Sequence, residues 1–105
     1  MKRLIKILAF YRIIMKKRLH VWIYGLVKGV FFRDETKKMA VKLKLTGFIR
    51  NLSEGVEAVF EGNNTELEEM LEFCRKGPKF AKVNKIDVKD ENFTGEFKDF
   101  RILSF

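Results

Sequence analysis

Residues 46–62 read TGFIRNLSEGVEAVFEG, and this stretch decides the fold of the chain. Its first part is rich in β-branched and aromatic residues, which predicts a strand over 46–52. A short turn, SEG at 53–55, leads into VEAVFEG at 56–62, where apolar and polar residues alternate. Alternation of this kind after a short turn predicts the return strand of a β-hairpin.

A segment with helical period lies on each side of this hairpin. The first begins at Phe32, and the second is predicted to begin near Thr65, whose hydroxyl could form a capping box with Glu68. Pro78 prevents the second helix from continuing. The predicted buried faces are Phe32, Thr36, Met39, Ala40 and Leu43 in the first helix, and Leu67, Met70, Leu71 and Cys74 in the second.

Strands are predicted at both ends of this arrangement. LHVWIYGLV at 19–27 and AKVNKIDVKDE at 81–91 are two of them, and GEFKDFRIL at 95–103 predicts a short final strand. The order is β-α-β-β-α-β, which indicates an α+β, ferredoxin-like split βαβ sandwich with an antiparallel sheet and two helices on one face. We expect the strand at 19–27 to pair directly with the strand at 46–52, so that their ends share one edge of the molecule.

The composition excludes several kinds of chemistry. The chain has 105 residues, enough for one domain with a core, and it has one cysteine, Cys74, and one histidine, His20. A single cysteine cannot form a disulfide within the chain, and it fits a reducing compartment. A structural zinc site or a Cys/His hydrolase is also not expected from a chain with one cysteine, one histidine and no CxxC or HExxH motif. We expect Cys74 in the core and His20 on the surface of a strand.

The net charge of +8 is concentrated at the N-terminus, where residues 1–18 carry seven basic side chains and no acidic one. Residues 19–105 carry fifteen basic and fourteen acidic side chains, so no basic groove for nucleic acid is expected there. We therefore divide the chain into a basic extension, 1–18, and a domain, 19–105. Three interpretations of the extension stay open: Met15 is the true initiator, the segment is a basic amphipathic helix that touches a membrane or a partner, or it is a tail.

The stretch GLVKGVFFRDE, residues 25–35, joins the first strand to the first helix. A helix N-terminus exposes unpaired amides and the positive end of the helix dipole, which suit an anion. Gly25 and Gly29 allow the main chain to bend and approach a ligand, and the guanidinium of Arg33 could hold two phosphate oxygens. The alternative is an ordinary strand-to-helix turn with a solvent-facing arginine. The amides expected to surround a phosphate belong to Lys28, Gly29, Val30, Phe31 and Phe32.

Asn51 ends the strand before the hairpin turn. An asparagine at such a position commonly bonds to nearby main chain and forms the turn. Its carboxamide could instead hold a water molecule, because it offers both a donor and an acceptor.

Taken together, the two segments resemble the motifs of the acylphosphatase family. The first motif of that family is roughly G-x-V-Q-G-V-x-[FY]-R, and the chain has GLVKGVFFR; the second appears as GFIRNLSEGVEAVFEG, with its last interval one residue shorter. The resemblance spans about residues 19–105. One position departs from the pattern, since Lys28 stands where the family usually has glutamine. A side chain that points away would change little, and one that points inward would add a second cation at the phosphate.

This resemblance implies hydrolysis of acyl phosphates to a carboxylate and inorganic phosphate, without a metal or an organic cofactor. It implies that Arg33 and Asn51 are catalytic, with Arg33 binding the phosphate and Asn51 orienting the attacking water. The partners it implies are a small-molecule acyl phosphate and the phosphate product. From the distribution of charge we expect no nucleic acid and no membrane contact other than one through residues 1–18. We expect a cytoplasmic monomer. Two alternatives are a non-catalytic ferredoxin-like module that binds an anion or metabolite, and an RNA-binding domain whose main support is the basic extension.

Overall fold

The computed structural model describes residues 4, 6, 7 and 15–104. Within 15–104 the helices and strands follow the predicted order, with the additional short strand at the end. Two helices cover one face of a five-stranded sheet, so the α+β, ferredoxin-like fold is confirmed. The elements are β1 Lys16–Leu26, α1 Phe32–Lys42, β2 Thr46–Leu52, β3 Gly55–Asn63, α2 Asn64–Lys76, β4 Lys82–Glu91 and β5 Phe100–Leu103.

The order of the strands corrects one prediction about the sheet. The strands lie in the order β4-β1-β3-β2-β5, so β1 pairs with β3 and not with β2. The crossover through α1 leaves a gap of one strand between β1 and β2, and the return strand of the hairpin fills it. Because β3 is antiparallel to both neighbours, β1 and β2 run in the same direction and end at the same edge of the sheet. The sheet is mixed rather than purely antiparallel, since β5 runs parallel to β2.

The core lies between the helices and the sheet. Alternate residues of β1, namely Leu19, Val21 and Ile23, are buried, whereas the central strand β3 is buried along most of its length. The helical faces predicted from the sequence are confirmed, because all their members are either buried or packed against the core. Cys74 is fully buried, as expected, and burial raises the pKa of its thiol to about 12. The fully buried members of the helical faces are Phe32, Thr36 and Ala40 in α1 and Leu67, Met70 and Cys74 in α2.

The start of α2 differs from the sequence prediction. The helix begins at Asn64, so Thr65 already lies inside its first turn and is exposed. The predicted capping box is therefore wrong, since a capping residue must precede the helix. The residue before the helix is Asn63, and its side chain makes no capping hydrogen bond.

Gly25 has a structural role in the sheet. It has a φ of 130° and lies at an irregularity in the pairing of β1 with β4. A Cβ atom on Gly25 would lie 2.1 Å from the carbonyl oxygen of Lys82, so only glycine allows the two strands to approach there. This gives Gly25 a structural role, and the prediction that it also allows a ligand to approach stays a prediction; Gly29 lies in the loop itself.

The open face of the sheet carries a network of ion pairs, which begins with the first residues of β1. Arg18 contacts Glu61, Glu91 and Glu96. β1 starts earlier than predicted, because Lys16 and Lys17 already pair with the end of β3. His20 is half-buried, stacks on Trp22 with 3.9 Å between ring centroids, and lies 2.7 Å from a Glu57 carboxylate oxygen. We call this set of side chains the sheet-face network; its members are Arg18, His20, Arg50, Glu57, Glu61, Glu91 and Glu96.

Most of the predicted extension, residues 1–18, lies outside the described residues, and the division at residue 18 stays a prediction. Lys16, Lys17 and Arg18 are part of β1. Among the described residues, no helix has the length and apolar character needed to cross a membrane.

Candidate active site

The loop between β1 and α1 surrounds a cavity of about 240 Å³. Arg33 is the second residue of α1 and borders this cavity. Its guanidinium forms no ion pair and no side-chain hydrogen bond with the described residues. The cavity is therefore a concave space beside a half-buried cation, lined by Val27, Lys28, Gly29, Phe31, Phe32, Arg33 and Asp34.

The main-chain amides of this loop are available to an anion. The amide of Glu35 donates to the carbonyl oxygen of Phe31 at 3.0 Å and forms the first hydrogen bond of α1. Before it, no main-chain carbonyl within the described part of the chain accepts a hydrogen bond from the amides of residues 28–34. Successive free amides next to the positive end of a helix dipole form an anion-binding concavity.

Two adjacent phenylalanines shape the loop in opposite ways. Phe32 is buried, and its ring lies 6.4 Å from that of Phe73, so it anchors the start of α1 to α2. Phe31 precedes the helix in the left-handed conformation, with φ 59° and ψ 22°, and its side chain is 71% exposed. A bulky residue in this conformation is strained, and such strain is found most often at functional sites. The chain thus turns sharply at Phe31 and places its ring at the rim of the cavity.

Asn51 lies near the end of β2, opposite Val56 of β3. Its carboxamide oxygen is buried and has no hydrogen-bond partner among the described residues. A buried polar atom without a partner calls for an explanation, and a bound water is one. Asn51 does not border the cavity beside Arg33, but the two strands that lead to these residues end at the same edge of the sheet.

Lys28 connects the loop to the turn that follows Asn51. Its Nζ donates hydrogen bonds to the carbonyl oxygens of Leu52 and Ser53, both at 2.9 Å. The side chain therefore reaches toward the β2–β3 turn, and its cation is satisfied by two main-chain acceptors. The sequence showed the unusual lysine but not this contact, because both acceptors belong to the main chain of a distant turn.

The described residues contain no group of three or more histidine, cysteine, aspartate or glutamate side chains arranged to hold a metal ion. Besides the Lys28 ammonium and the Asp34 carboxylate, the polar groups at this edge are a guanidinium, a carboxamide and main-chain amides. Donors of this kind bind and orient an oxyanion and a water molecule.

The fold and this edge define a small α/β sandwich with a candidate anion site at a strand-to-helix loop. The family model described as acylphosphatase matches residues 19–102. A relative named acylphosphatase from Syntrophus aciditrophicus (strain SB) is 51% identical over 90 residues, which cover 85% of this chain and 94% of that protein. One from Pyrobaculum aerophilum is 48% identical over 88 residues, which cover 82% of this chain and 93% of that protein.

Solved structures agree with the sequence relatives. An acylphosphatase from Coxiella burnetii superposes with a TM-score of 0.82 at 32% identity, covering 88% of this chain and 97% of that chain. An acylphosphatase from Bacillus subtilis has a TM-score of 0.79 at 31% identity, covering 83% and 98%. This chain belongs to the acylphosphatase family, which confirms the resemblance seen in the two motifs. The comparisons give no support to a non-catalytic binding module.

Proposed function

We propose that Arg33, the main-chain amides of residues 28–32 and Asn51 form the active site with which this chain hydrolyses acyl phosphates. The activity follows from membership of the acylphosphatase family. One observation supports the assignment of residues: Arg33 and the Asn51 carboxamide oxygen lack partners among the described residues. Arg33 follows β1 and Asn51 lies near the end of β2, and these two strands end at the same edge of the sheet.

In this proposal the phosphoryl group occupies the cavity beside Arg33. The guanidinium and the loop amides donate hydrogen bonds to the equatorial phosphate oxygens, where charge is spread in the transition state. These groups hold the reactant and need no rearrangement as the reaction proceeds. Their contribution is positioning and electrostatic stabilisation.

Asn51 accepts a hydrogen bond from a water molecule through its carboxamide oxygen and directs that water at phosphorus. A new P–O bond forms to the water, and the P–O bond to the acyl oxygen breaks, with its electron pair leaving on the carboxylate. One proton of the water stays on the phosphate and the other passes to solvent. A carboxylate is a good leaving group without prior protonation, so the reaction has little need for a strong general base.

Metal-free turnover of acetyl phosphate, measured in the presence of a chelator, tests this proposal. We expect Arg33→Ala to lower kcat/KM about a thousandfold and to weaken inhibition by inorganic phosphate. Asn51→Ala should lower kcat by a hundredfold or more, because one orienting group is lost, while inhibition by phosphate is largely kept.

Matched controls are Arg75→Ala and Asn92→Ala, which remove the same side chains from exposed positions on α2 and after β4. Both should retain wild-type turnover. Near-normal rates in Arg33→Ala and Asn51→Ala would refute the assigned roles.

We further propose that the protein is a cytoplasmic monomer that acts on a small acyl phosphate and releases phosphate, with no nucleic-acid partner. The support is a single buried cysteine, a nearly neutral domain and a site to which one chain supplies every proposed group. The basic extension, predicted over residues 1–18, stays a proposal, and its last three residues, Lys16 to Arg18, are already part of β1. Analytical ultracentrifugation tests the monomer, and a gel shift with single-stranded RNA tests the absence of nucleic-acid binding.

A further inference from the structure

A groove of about 290 Å³ lies next to the phosphate cradle. We propose that this groove binds the acyl group of the substrate and makes the enzyme favour acyl phosphates with aromatic or extended apolar acyl groups over acetyl phosphate. The inference rests on the proposed function, since it concerns the leaving half of the same substrate. The groove is lined by Val30, Phe31, Glu35, Phe73, Pro78, Lys79 and Phe80.

Two exposed aromatic side chains meet at this groove. Phe31 is 71% exposed and Phe80 is 68% exposed, although phenylalanine is among the residues most often buried. Apolar side chains that cluster in an exposed concavity indicate a binding surface. Phe31 is held at this position by a strained main chain, so its exposure is built into the loop.

Phe31 also joins the groove to the cradle, because its side chain lines both. The acyl group is bonded to the phosphate through one oxygen and must lie directly outside the cradle that holds the phosphoryl group. An apolar surface that begins at the rim of the cradle is therefore within reach of this group.

The register of the sheet places the groove away from Asn51. Near the end of β1, Ile23 pairs with Val56 at the start of β3, and Leu26 pairs with Lys82 at the start of β4. The β2–β3 turn beside Asn51 and the segment 78–80 before β4 thus flank the phosphate loop from two sides. Water and leaving group lie roughly in line across phosphorus, so an attack from the side of Asn51 expels the carboxylate toward the other side.

A second groove, of about 530 Å³, also touches Phe31 but suits an acyl group less well. Its other lining residues are Asp34, Glu35, Lys37, Lys38 and Val41, most of them charged. The proposed groove has five apolar lining residues, and its charged ones are a single glutamate and a single lysine. Apolar contact, rather than charge, is what it offers to a ligand.

The test compares kcat/KM for benzoyl phosphate and acetyl phosphate in the full-length protein. Their ratio is compared between variants, so the difference in intrinsic reactivity of the two substrates cancels. In Phe80→Ser we expect the benzoyl-to-acetyl ratio to fall about tenfold, because the bound acyl group loses its apolar contact with one ring. In Phe31→Asn, which tolerates the left-handed conformation, it should fall similarly.

The matched control is Phe93→Ser, which removes a 41% exposed phenylalanine that lies beyond the end of β4 and outside the groove. It should keep the wild-type ratio. A ratio that is unchanged in both Phe80→Ser and Phe31→Asn would overturn the inference while turnover of acetyl phosphate still upholds the proposed function. Wild-type protein that hydrolyses neither substrate would overturn the proposed function, and the inference with it.

Discussion

The open face of the sheet and the edge at the β1–α1 loop differ in whether their polar groups have hydrogen-bond or ion-pair partners within the protein. In the sheet-face network each charged side chain has a protein partner of opposite charge, and several have two or three. At the loop edge, Arg33, the Asn51 carboxamide oxygen and the amides of 28–34 have none within the described part of the chain. Polar groups that satisfy one another stabilise a fold, whereas those held without partners can bind a ligand.

Glu61 shows how complete the satisfaction is in the sheet-face network. Its side chain is fully buried, and its carboxylate accepts hydrogen bonds from the Thr94 amide, the Thr94 hydroxyl and the Gly95 amide at 2.9, 2.8 and 3.0 Å. Arg18 lies 3.5 Å from the same carboxylate. The loop between β4 and β5 is thereby fastened to the central strand.

Glu61→Ala should give the largest effect on stability. It removes the acceptor of the Thr94 and Gly95 amides and one of the three carboxylates around Arg18, which keeps its contacts with the other two. The loss of these charge-assisted hydrogen bonds costs about 2–3 kcal/mol in the free energy of unfolding. Urea denaturation measures this change, with Glu69→Ala on the exposed side of α2 as a control within about 0.5 kcal/mol of wild type. If the network is structural only, folded Glu61→Ala protein keeps its turnover of acetyl phosphate. A variant of normal stability and reduced turnover would break the distinction between the two regions.

The sequence predicts features that depend on residues close together in the chain better than features that depend on residues far apart in it. Periods of two and 3.6 residues correctly indicate the strands, the helices and the buried faces, because each reports on neighbours within one element. The prediction that β1 pairs directly with β2 is wrong, since the alternation of residues within a strand does not determine which strand lies next to it. The predicted capping position of Thr65 is wrong because α2 begins at Asn64, which puts Thr65 inside the helix and not before it.

The candidate site shows the same division. Its two motifs indicated Arg33, Asn51 and the loop amides, because the residue types and their spacing lie in short segments. Two features were not predictable: the contacts of Lys28 with the β2–β3 turn and the groove that Phe31 and Phe80 line together. Each joins segments that are distant in sequence. Such contacts depend on how the sheet is assembled.

Lys28 offers the next test, because it is a charged group at the loop edge whose protein partners are main-chain carbonyls. If it holds the loop against the turn, Lys28→Met should lower kcat for acetyl phosphate about tenfold, because the phosphate and the water are then less well aligned. Inhibition by inorganic phosphate should change little, since the Lys28 cation is already occupied. Lys42→Met, at the exposed end of α1, is the control.

Inhibition by inorganic phosphate distinguishes a Lys28 that positions the loop from a Lys28 that binds the phosphate as a second cation. A lysine that acts as a second cation on the phosphate would lose affinity for inorganic phosphate in Lys28→Met as strongly as it loses turnover. That result would contradict a positioning role and would move Lys28 into the group of phosphate ligands.

The smallest expected effect is a dependence of stability on pH that belongs to the sheet-face network. Burial alone would raise the pKa of Glu57, but hydrogen bonds from His20 and Arg50 outweigh it and leave the pKa below its ordinary value of 4.5. A lowered pKa in the folded state stabilises the fold above pH 4.5, and this contribution is lost as the pH falls below 4.5 through the folded value. Glu57→Gln should therefore be less stable than wild type by about 1 kcal/mol at pH 7, and the gap should narrow at pH 3. Thermal unfolding at the two pH values measures the gap, with Glu69→Gln as the exposed control. A gap of the same size at both values would show that the charge of Glu57 contributes nothing to the fold, and the contrast between a self-satisfied network and an unpartnered site would then rest on Arg18 and Glu61.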